Sequence, residues 1–186
     1  MKCFIRKMGI GFAISALALL IQGAFLYLLG ARINTTLSIP VGLYWSVGDP
    51  VTKGRYVMFC PPPLEVFDLA RARGYIGAGF CPGGYGYMMK KVAGATDDRV
   101  EVGSDGVRIN GRLLDDSAPL RADSGGRVMP KFQADSYVLS EHQLLLMGDC
   151  NVRSFDGRYF GPVQRRQVKD VITPIFTWGQ PSRTAR

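Results

Sequence analysis

An uncharged apolar run near the N-terminus limits what this chain can fold into more than any other feature. It reads GIGFAISALALLIQGAFLYLLG from Gly9 to Gly30, and 24 uncharged residues separate Lys7 from Arg32. A helix of that length crosses a bilayer. The run has no polar face that a soluble helix would turn to water. The segment therefore predicts a membrane-spanning helix.

The charges on either side of this run predict its orientation. Lys2, Arg6 and Lys7 precede the run, whereas only Arg32 follows it closely. The positive-inside rule places the N-terminus in the cytoplasm and the rest of the chain outside. A cleavable signal peptide is the alternative, but the run is long for one, and LGARIN is a poor cleavage site. We expect a single-pass protein of the inner (cytoplasmic) membrane, with its soluble part in the periplasm.

The residues after the anchor have the composition of one folded domain. About 150 of the 186 residues remain, enough for a substantial core. An apolar content of 47% excludes a disordered protein, and 23 glycines and 11 prolines favour β structure. We divide the chain into an anchor, residues 1–32, and one domain, residues 33–186. The formal charge of +8 is scattered and no DNA-binding motif is visible, so we expect membrane lipid as a partner and no nucleic acid.

The pattern of apolar runs and turns predicts a mainly β domain with a small helical insertion at about residues 60–86. One short helix is expected over Leu64 to Tyr75, followed by a flexible glycine-rich loop, GAGFCPGGYG. Asp105–Gly106 and Asn110–Gly111 are turn signals. The C-terminal QPSRTAR is expected to be a frayed basic tail. The predicted strands lie within residues 42–59, 87–92, 143–147 and 171–178.

The cysteines suggest one disulfide bond. Cys3 precedes the anchor and should be reduced, whereas Cys60, Cys81 and Cys150 follow it. Cys60 and Cys81 bracket a compact segment, and we favour this pair, which would contribute about 3 kcal/mol. Three buried free thiols are the alternative. There is no Cys-x-x-Cys and the only histidine is His142, so we expect no metal site and no cofactor.

A serine that follows the anchor is a candidate nucleophile. Ser38 lies in TLSIPVGLYW, where Pro40 stiffens the turn. A serine–histidine–aspartate triad is nearly excluded, because His142 lies in a polar SEHQ turn. A neutral lysine can also activate serine, but it must be buried in apolar surroundings. Tyr44 and Trp45, which follow the turn, fit either the lipid interface or the strand core.

The segment YMMKKVAG supplies two lysines with apolar neighbours. Because side chains alternate along a strand, Lys90 shares one face with Met88 and Val92, and Lys91 lies on the other. One amine can therefore enter an apolar site while its neighbour meets water. Periodicity alone does not select between them, and two solvated lysines are the alternative interpretation.

A third segment, MGDCNVRSFDGRYFGPV, carries three polar side chains at alternate positions. Ser154, Asp156 and Arg158 would face one way in an extended chain. An Asp–Arg pair could hold this loop rigid while the serine hydroxyl contacts a buried amine. The alternative is a surface loop with a weak ion pair.

These three segments, in this order and after one membrane span, resemble the signal peptidase I family of serine–lysine membrane peptidases (S26). The resemblance extends from Thr36 to Val163, and it implies a signal-peptidase-like β fold. The motif SIPVGLY is most similar to the Ser-x-Pro-x-Gly-x-Tyr of the conjugative-transfer branch. Several departures in the third motif argue against ordinary leader-peptide specificity.

The resemblance implies roles for four residues of the first two motifs. Ser38 matches the nucleophile, and Lys90 matches the general base. Lys91 matches the basic residue beside the base, outside the site. Thr36 matches a hydroxyl residue that helps to form the oxyanion hole, together with the backbone N–H of Ser38.

The third motif implies supporting roles. Ser154 matches the residue that orients the lysine amine, and Asp156 and Arg158 would brace the loop. In the conjugative-transfer branch, the residue matched by Asp156 is also implicated in activity, so we count it among the catalytic candidates.

The activity implied by the resemblance is that of a serine endopeptidase. It would process a membrane pilin precursor through an acyl-enzyme, with C-terminal trimming and cyclisation, for pilus assembly and plasmid transfer. Other pilus assembly proteins are possible partners. Three alternatives remain: a general signal peptidase that removes leader peptides, a non-catalytic component of the mating-pore assembly, and a self-cleaving serine–lysine repressor. The last would need a helix-turn-helix in place of the membrane span.

Overall fold

A computed structural model describes residues 2–178 of the chain, with side chains described from Met8 onward. The predicted basic tail, residues 180–186, and the side chain of Cys3 lie outside the described residues.

The apolar run forms helix α1, Lys2–Leu28. Its membrane-length part, Met8–Leu28, has a mean hydropathy of 2.0 and is not buried against the rest of the protein. A soluble core helix would be covered by other elements, so this exposure fits a membrane anchor. The predicted single N-terminal span is thus present as a helix of sufficient length.

The rest of the described chain is mainly β, as predicted. A seven-stranded sheet has the order β1-β2-β12-β3-β5-β10-β11, and a second sheet has the order β8-β7-β6-β9. All the strand pairs are antiparallel. The strands are β1 Ala31–Asn34, β2 Gly42–Val47, β3 Tyr56–Phe59, β4 Ala78–Cys81, β5 Met88–Gly94, β6 Arg99–Gly103, β7 Gly106–Ile109, β8 Arg112–Leu113, β9 Ala134–Val138, β10 Gln143–Met147, β11 Val163–Gln164 and β12 Val168–Thr177. Two further helices are α2, Glu65–Ala72, and α3, Gly157–Phe160.

The two strands predicted within residues 42–59 are not neighbours in the sheet. Strand β12 lies between β2 and β3, pairing Thr173 with Trp45 on one edge and Val171 with Val57 on the other. Since β12 is more than 100 residues away in sequence, the local pattern of apolar residues does not indicate that it lies between β2 and β3.

The two predicted turns differ in accuracy. The turn between β6 and β7 contains Ser104 and Asp105, one residue earlier than expected, because Gly106 already pairs with Gly103. The second turn is placed correctly: Asn110 and Gly111 have φ angles of 52° and 78° and connect β7 to β8. Positive φ at both central positions is what a type I′ hairpin turn requires.

The insertion is a folded unit closed by the predicted disulfide. Cys60 and Cys81 are bonded, with their Cα atoms 5.4 Å apart. The helix within it, α2, is shorter than the predicted Leu64–Tyr75, and it buries Phe67. The glycine-rich segment is not the structureless loop that we expected. It contains β4 and a 3-10 turn, Pro82–Gly84, held by β-bridges to Tyr85.

The side chain of Tyr44 belongs to the core rather than to a lipid-facing surface. It is fully buried in β2, and its hydroxyl donates to the carbonyl of Pro40 at 2.6 Å. Its neighbour Trp45 is only half-buried, as expected for alternating residues. For Tyr44, the lipid-interface interpretation is therefore wrong. Its inward position supports the turn that carries Ser38.

Candidate active site

Ser38 lies partly buried in a turn between β1 and β2 and lines a cavity. The turn is fixed from a second part of the chain, because the N–H of Asp149 donates to the carbonyl of Ser38 at 3.0 Å. Pro40, which follows, is buried and stiffens the exit from the turn. The backbone at Ser38 is thus held by contacts that are distant in sequence.

Lys90 projects from β5 toward this turn. Its Nζ lies 2.6 Å from Ser38 Oγ and 3.0 Å from Ser154 Oγ, and the two hydroxyls are 3.2 Å apart. The residue is only 3% exposed, because Met88 and Val92 bury the same face of the strand. The structure therefore brings together three of the predicted site residues in one cluster, with Nζ and Oγ at a distance suited to proton transfer.

Burial changes the acid–base behaviour of the Lys90 amine. Removal from water lowers the pKa of Lys90 to about 8, and the nearby Arg158 guanidinium also lowers it. The carboxylates of Asp156 and Asp149 act in the opposite direction but do not restore the ordinary value. An amine with this pKa has an appreciable neutral fraction near pH 8, and its lone pair can accept a proton from a hydroxyl.

Lys91 projects from the opposite face of β5. Its Nζ donates to Asp149 Oδ2 at 3.1 Å, and its side chain is 39% exposed. The hydroxyl of Tyr56 donates to the same carboxylate oxygen at 2.8 Å. The strand thus sends one lysine into the serine cluster and the other to a partly solvated ion pair, as alternation requires.

Asp156 and Arg158 form a buried ion pair below the site. Their exposures are 0% and 1%, and Nε and Nη2 of the arginine donate to the two carboxylate oxygens at 2.8 and 3.0 Å. Nη1 donates to three backbone carbonyls, those of Asp116, Ala118 and Val152. Within the described part of the chain, neither side chain is hydrogen-bonded to Ser38 or Lys90. The geometry is that of a brace that ties two loops together.

A glycine missed by the sequence analysis connects this brace to the serine turn. The N–H of Gly148 donates to Asp156 Oδ2 at 2.9 Å. A Cβ at this position would lie 2.9 Å from the carbonyl oxygen of Ser38 and would collide with the side chain of Ser154. Only glycine allows the two loops to approach this closely.

Thr36 is not part of the serine–lysine cluster in this structure. Its side chain is exposed, and its hydroxyl donates to Oδ1 of Asn34 at 2.8 Å. Its role as an oxyanion donor stays a prediction. Asn34 is a further residue that the sequence analysis missed, although asparagine is favoured in turns because its side chain can bond the backbone two residues on, as it does here with the N–H of Thr36.

A cavity of about 370 Å³ opens beside Ser38 and Ser154. Its lining is mixed, because apolar side chains such as Leu37, Met129 and Phe155 alternate with polar ones that include Asp123 and Arg153. Its volume lies within the usual range of ligand-binding clefts. Among the described residues, no group of three or more histidine, cysteine or acidic side chains is placed to hold a metal ion.

Comparison with known proteins identifies the family of this chain. A profile described as signal peptidase, peptidase S26, matches residues 5–177, nearly the whole chain. The chain belongs to the peptidase S26 family. Serine peptidase activity follows from this membership.

Its relatives include plasmid and conjugal transfer proteins. The chain is 56% identical over 178 residues to plasmid transfer protein TraF of Escherichia coli, covering 96% of the chain and 100% of that protein. Conjugal transfer protein TraF of Agrobacterium tumefaciens (strain 15955) is 38% identical over 152 residues, covering 80% of the chain and 84% of that protein. Among solved structures, a signal peptidase I of Enterococcus faecalis V583 is 20% identical with a TM-score of 0.38, covering 67% of this chain and 98% of that one.

Proposed function

We propose that this chain is a membrane-anchored serine endopeptidase with a Ser38–Lys90 dyad that processes a pilin precursor for conjugation. The observation that carries the proposal is the 2.6 Å contact between Lys90 Nζ and Ser38 Oγ, made by a lysine that is 3% exposed. The names of its relatives, plasmid and conjugal transfer proteins, support the context of plasmid transfer.

In the proposed mechanism, neutral Lys90 takes the hydroxyl proton as Ser38 Oγ attacks the peptide carbonyl carbon. The negative charge that develops on the carbonyl oxygen is stabilised by the N–H of Ser38 and by the hydroxyl of Thr36, once that hydroxyl turns from Asn34. The C–N bond then breaks, Lys90 returns the proton to the leaving amine, and an acyl-enzyme remains. Ser154, 3.0 Å from Nζ, keeps the amine directed at Oγ.

The acyl-enzyme has two possible fates. Attack by water releases a trimmed carboxylic acid, as in removal of a leader peptide. Attack by the N-terminal amine of the same precursor would form a peptide bond and a cyclic product without ATP, because the amine has a high effective concentration. We propose C-terminal trimming followed by cyclisation.

The attachment of α1 to the sheet supports a site close to the membrane. Ser38 follows Leu28 by only ten residues. Arg32 donates to the carbonyl of Tyr27, stacks on its ring and pairs with Asp170 of β12 at 3.0 Å. We propose that residues 1–32 anchor the chain in the inner membrane. Residues 33–186 would form the periplasmic peptidase domain, with its insertion at about residues 60–86, and would meet a membrane-bound precursor at the lipid surface.

The decisive experiment is co-expression of the full chain with a pilin precursor of a conjugative plasmid, followed by mass spectrometry. We expect a trimmed product that is 18 Da lighter than the linear form if it is cyclic, and no processing by the Ser38→Ala variant. Cleavage of leader peptides with an intact pilin precursor would instead identify a general signal peptidase. Normal plasmid transfer supported by Ser38→Ala would identify a non-catalytic component of the assembly.

A further inference from the structure

The amide of Asn34 is enclosed by the turn that carries Ser38. This residue ends β1, is 3% exposed, and has its Nδ2 within hydrogen-bond distance of three carbonyls of the turn. The acceptors are the carbonyl oxygens of Thr36 at 2.8 Å, Ile39 at 3.0 Å and Pro40 at 3.0 Å. A single side chain therefore donates to backbone carbonyls on both sides of Ser38.

The other end of the same amide is occupied as well. Its Oδ1 accepts the N–H of Thr36 at 3.1 Å and the Thr36 hydroxyl at 2.8 Å. All these partners lie within six residues of Asn34 in sequence. A buried amide that is satisfied by one turn alone stabilises the conformation of that turn.

This arrangement has a direct effect on the backbone at Ser38. The carbonyls of Thr36, Ile39 and Pro40 accept from Asn34, and the carbonyl of Ser38 accepts from the N–H of Asp149, so these four acceptors of the turn are occupied. In the described part of the chain, no acceptor takes the N–H of Ser38. That N–H is left for the oxyanion which forms when the serine attacks.

We propose that Asn34 is a positioning residue, which holds the Ser38 hydroxyl and N–H in the geometry for attack. The proposal rests on the proposed function, because it takes Ser38 as the nucleophile. It assigns to the donor end of the amide a role that neither Lys90 nor the Asp156–Arg158 pair can fill, since neither contacts the carbonyls on both sides of Ser38.

The kinetic test compares Asn34→Asp with Asn34→Ala in the full chain, using the pilin precursor as substrate. Asn34→Asp keeps the size and the acceptor oxygen but loses the donor. We expect both variants to reduce kcat about 100-fold, the usual cost of a small misplacement. KM should change less than about threefold, since substrate binding is retained. The midpoint of the pH profile should not move in Asn34→Ala, because Lys90 stays buried and no charge is added.

The matched control is Thr35→Ala, which alters the adjacent exposed residue. It should retain wild-type kcat. Full kcat in Asn34→Ala would overturn the proposal, because the amide would then be dispensable. If Asn34→Ala does not accumulate as a folded protein, Asn34→Ser replaces it. The serine hydroxyl can cap the Thr36 N–H but is too short for the carbonyls of Ile39 and Pro40, so the same loss of kcat is expected.

A second test does not depend on the substrate. In a Ser38→Cys variant, Lys90 should stabilise the thiolate and lower the thiol pKa below its usual value of about 8.5. The pKa is measured from the pH dependence of iodoacetamide alkylation, followed by peptide mapping at position 38. Adding Asn34→Ala should return the thiol pKa toward about 8.5, whereas adding Thr35→Ala should not. An identical thiol pKa with and without Asn34 would refute the proposal. If the wild-type chain leaves the precursor uncut, the proposed function fails, but this measurement still decides the role of Asn34.

Discussion

At the scale of single residues, one step along β5 separates two lysines with different environments. Lys90 lies in the inward-facing row with Met88 and Val92, whereas Lys91 reaches a carboxylate beside water. Burial destabilises the ammonium form of Lys90 relative to the neutral amine. The same residue type therefore has two chemical characters, set by which face of the strand it occupies.

Replacing these lysines one at a time tests that distinction. We expect Lys90→Ala to reduce precursor processing at least about 1,000-fold, because the proposed general base is lost. Lys91→Ala should keep most of the activity, since an exposed ion pair contributes less than about 1 kcal/mol. Initial rates in isolated membranes measure both. An inactive Lys91→Ala beside an active Lys90→Ala would reverse the assignment of the base.

The pH dependence of the reaction tests the state of the Lys90 amine. The lowered pKa of Lys90, about 8, predicts activity that rises with pH through this value and then levels. The sign follows because only the neutral amine accepts the serine proton. Measurement requires a pH–rate profile of precursor cleavage within the range where the protein stays folded.

Two results would contradict a lysine base. One is full activity at pH 5 with a flat profile. The other is rapid inactivation by phenylmethylsulfonyl fluoride, a reagent suited to histidine-activated serines. Either result would make His142 the next candidate for the base. This histidine is exposed and pairs with Glu141.

At the scale of elements, the loop between β10 and α3 depends on a buried ion pair. Asp156 holds Gly148 and Arg158 together, and Arg158 reaches the carbonyls of the 116–118 segment. Asp156→Asn leaves the buried guanidinium without its counter-charge, a change that costs about 3–5 kcal/mol. We expect a lower thermal midpoint together with a loss of processing. Arg108→Ala, which breaks an exposed pair with Asp105, is the control and should leave the midpoint nearly unchanged.

The insertion supports the site through its disulfide. Cys60 and Cys81 close the segment that contains α2, and Phe67 of α2 packs edge-on against Phe155, next to Ser154. We expect Cys60→Ser with Cys81→Ser to lower stability by about 3 kcal/mol, measured by denaturant unfolding in detergent. Non-reducing peptide mapping of the wild type should link these two cysteines. A bridge that contains Cys150 would contradict this pairing.

At the scale of the whole molecule, the chain is a catalytic domain attached directly to an apolar helix. The contacts of Arg32 with Tyr27 and Asp170 join the end of α1 to the sheet. This short connection restricts how far Ser38 can lie from the membrane surface. A soluble substrate would have to come to that surface, whereas a membrane-bound precursor is already there.

The orientation of the chain is tested with a reporter that is active only outside the cytoplasm. Fused after Arg186, it should be active, because the positive charges lie before the span. The protein should also stay with the membrane in high salt, since an apolar helix is not released by screening charges. Recovery of a shortened soluble form would identify the segment as a cleaved signal peptide.

The sequence by itself determined those features that depend on local order. The apolar run predicts α1, Asn110–Gly111 predicts its turn, and three motifs in order indicate the peptidase family and the candidate residues of its site. Each of these signals extends over a few neighbouring residues, so periodicity, turn chemistry or spacing is enough to find it.

Only the tertiary structure decided where β12 lies in the sheet and how the serine turn is held. It also placed Lys90, which the motif resemblance already matched to the base, against Ser38. Alternation allows either Lys90 or Lys91 to face inward until the sheet packs on one side. Position 148 requires glycine only because the folded chain brings it against Ser38 and Ser154. Ser38 is distant in sequence, and Ser154 lies across a loop. The pairing of β12 with two strands, and the contact of Asp149 with the Ser38 carbonyl, join segments more than 100 residues apart. Contacts of this kind depend on the folded path of the chain, which the order of neighbouring residues does not specify.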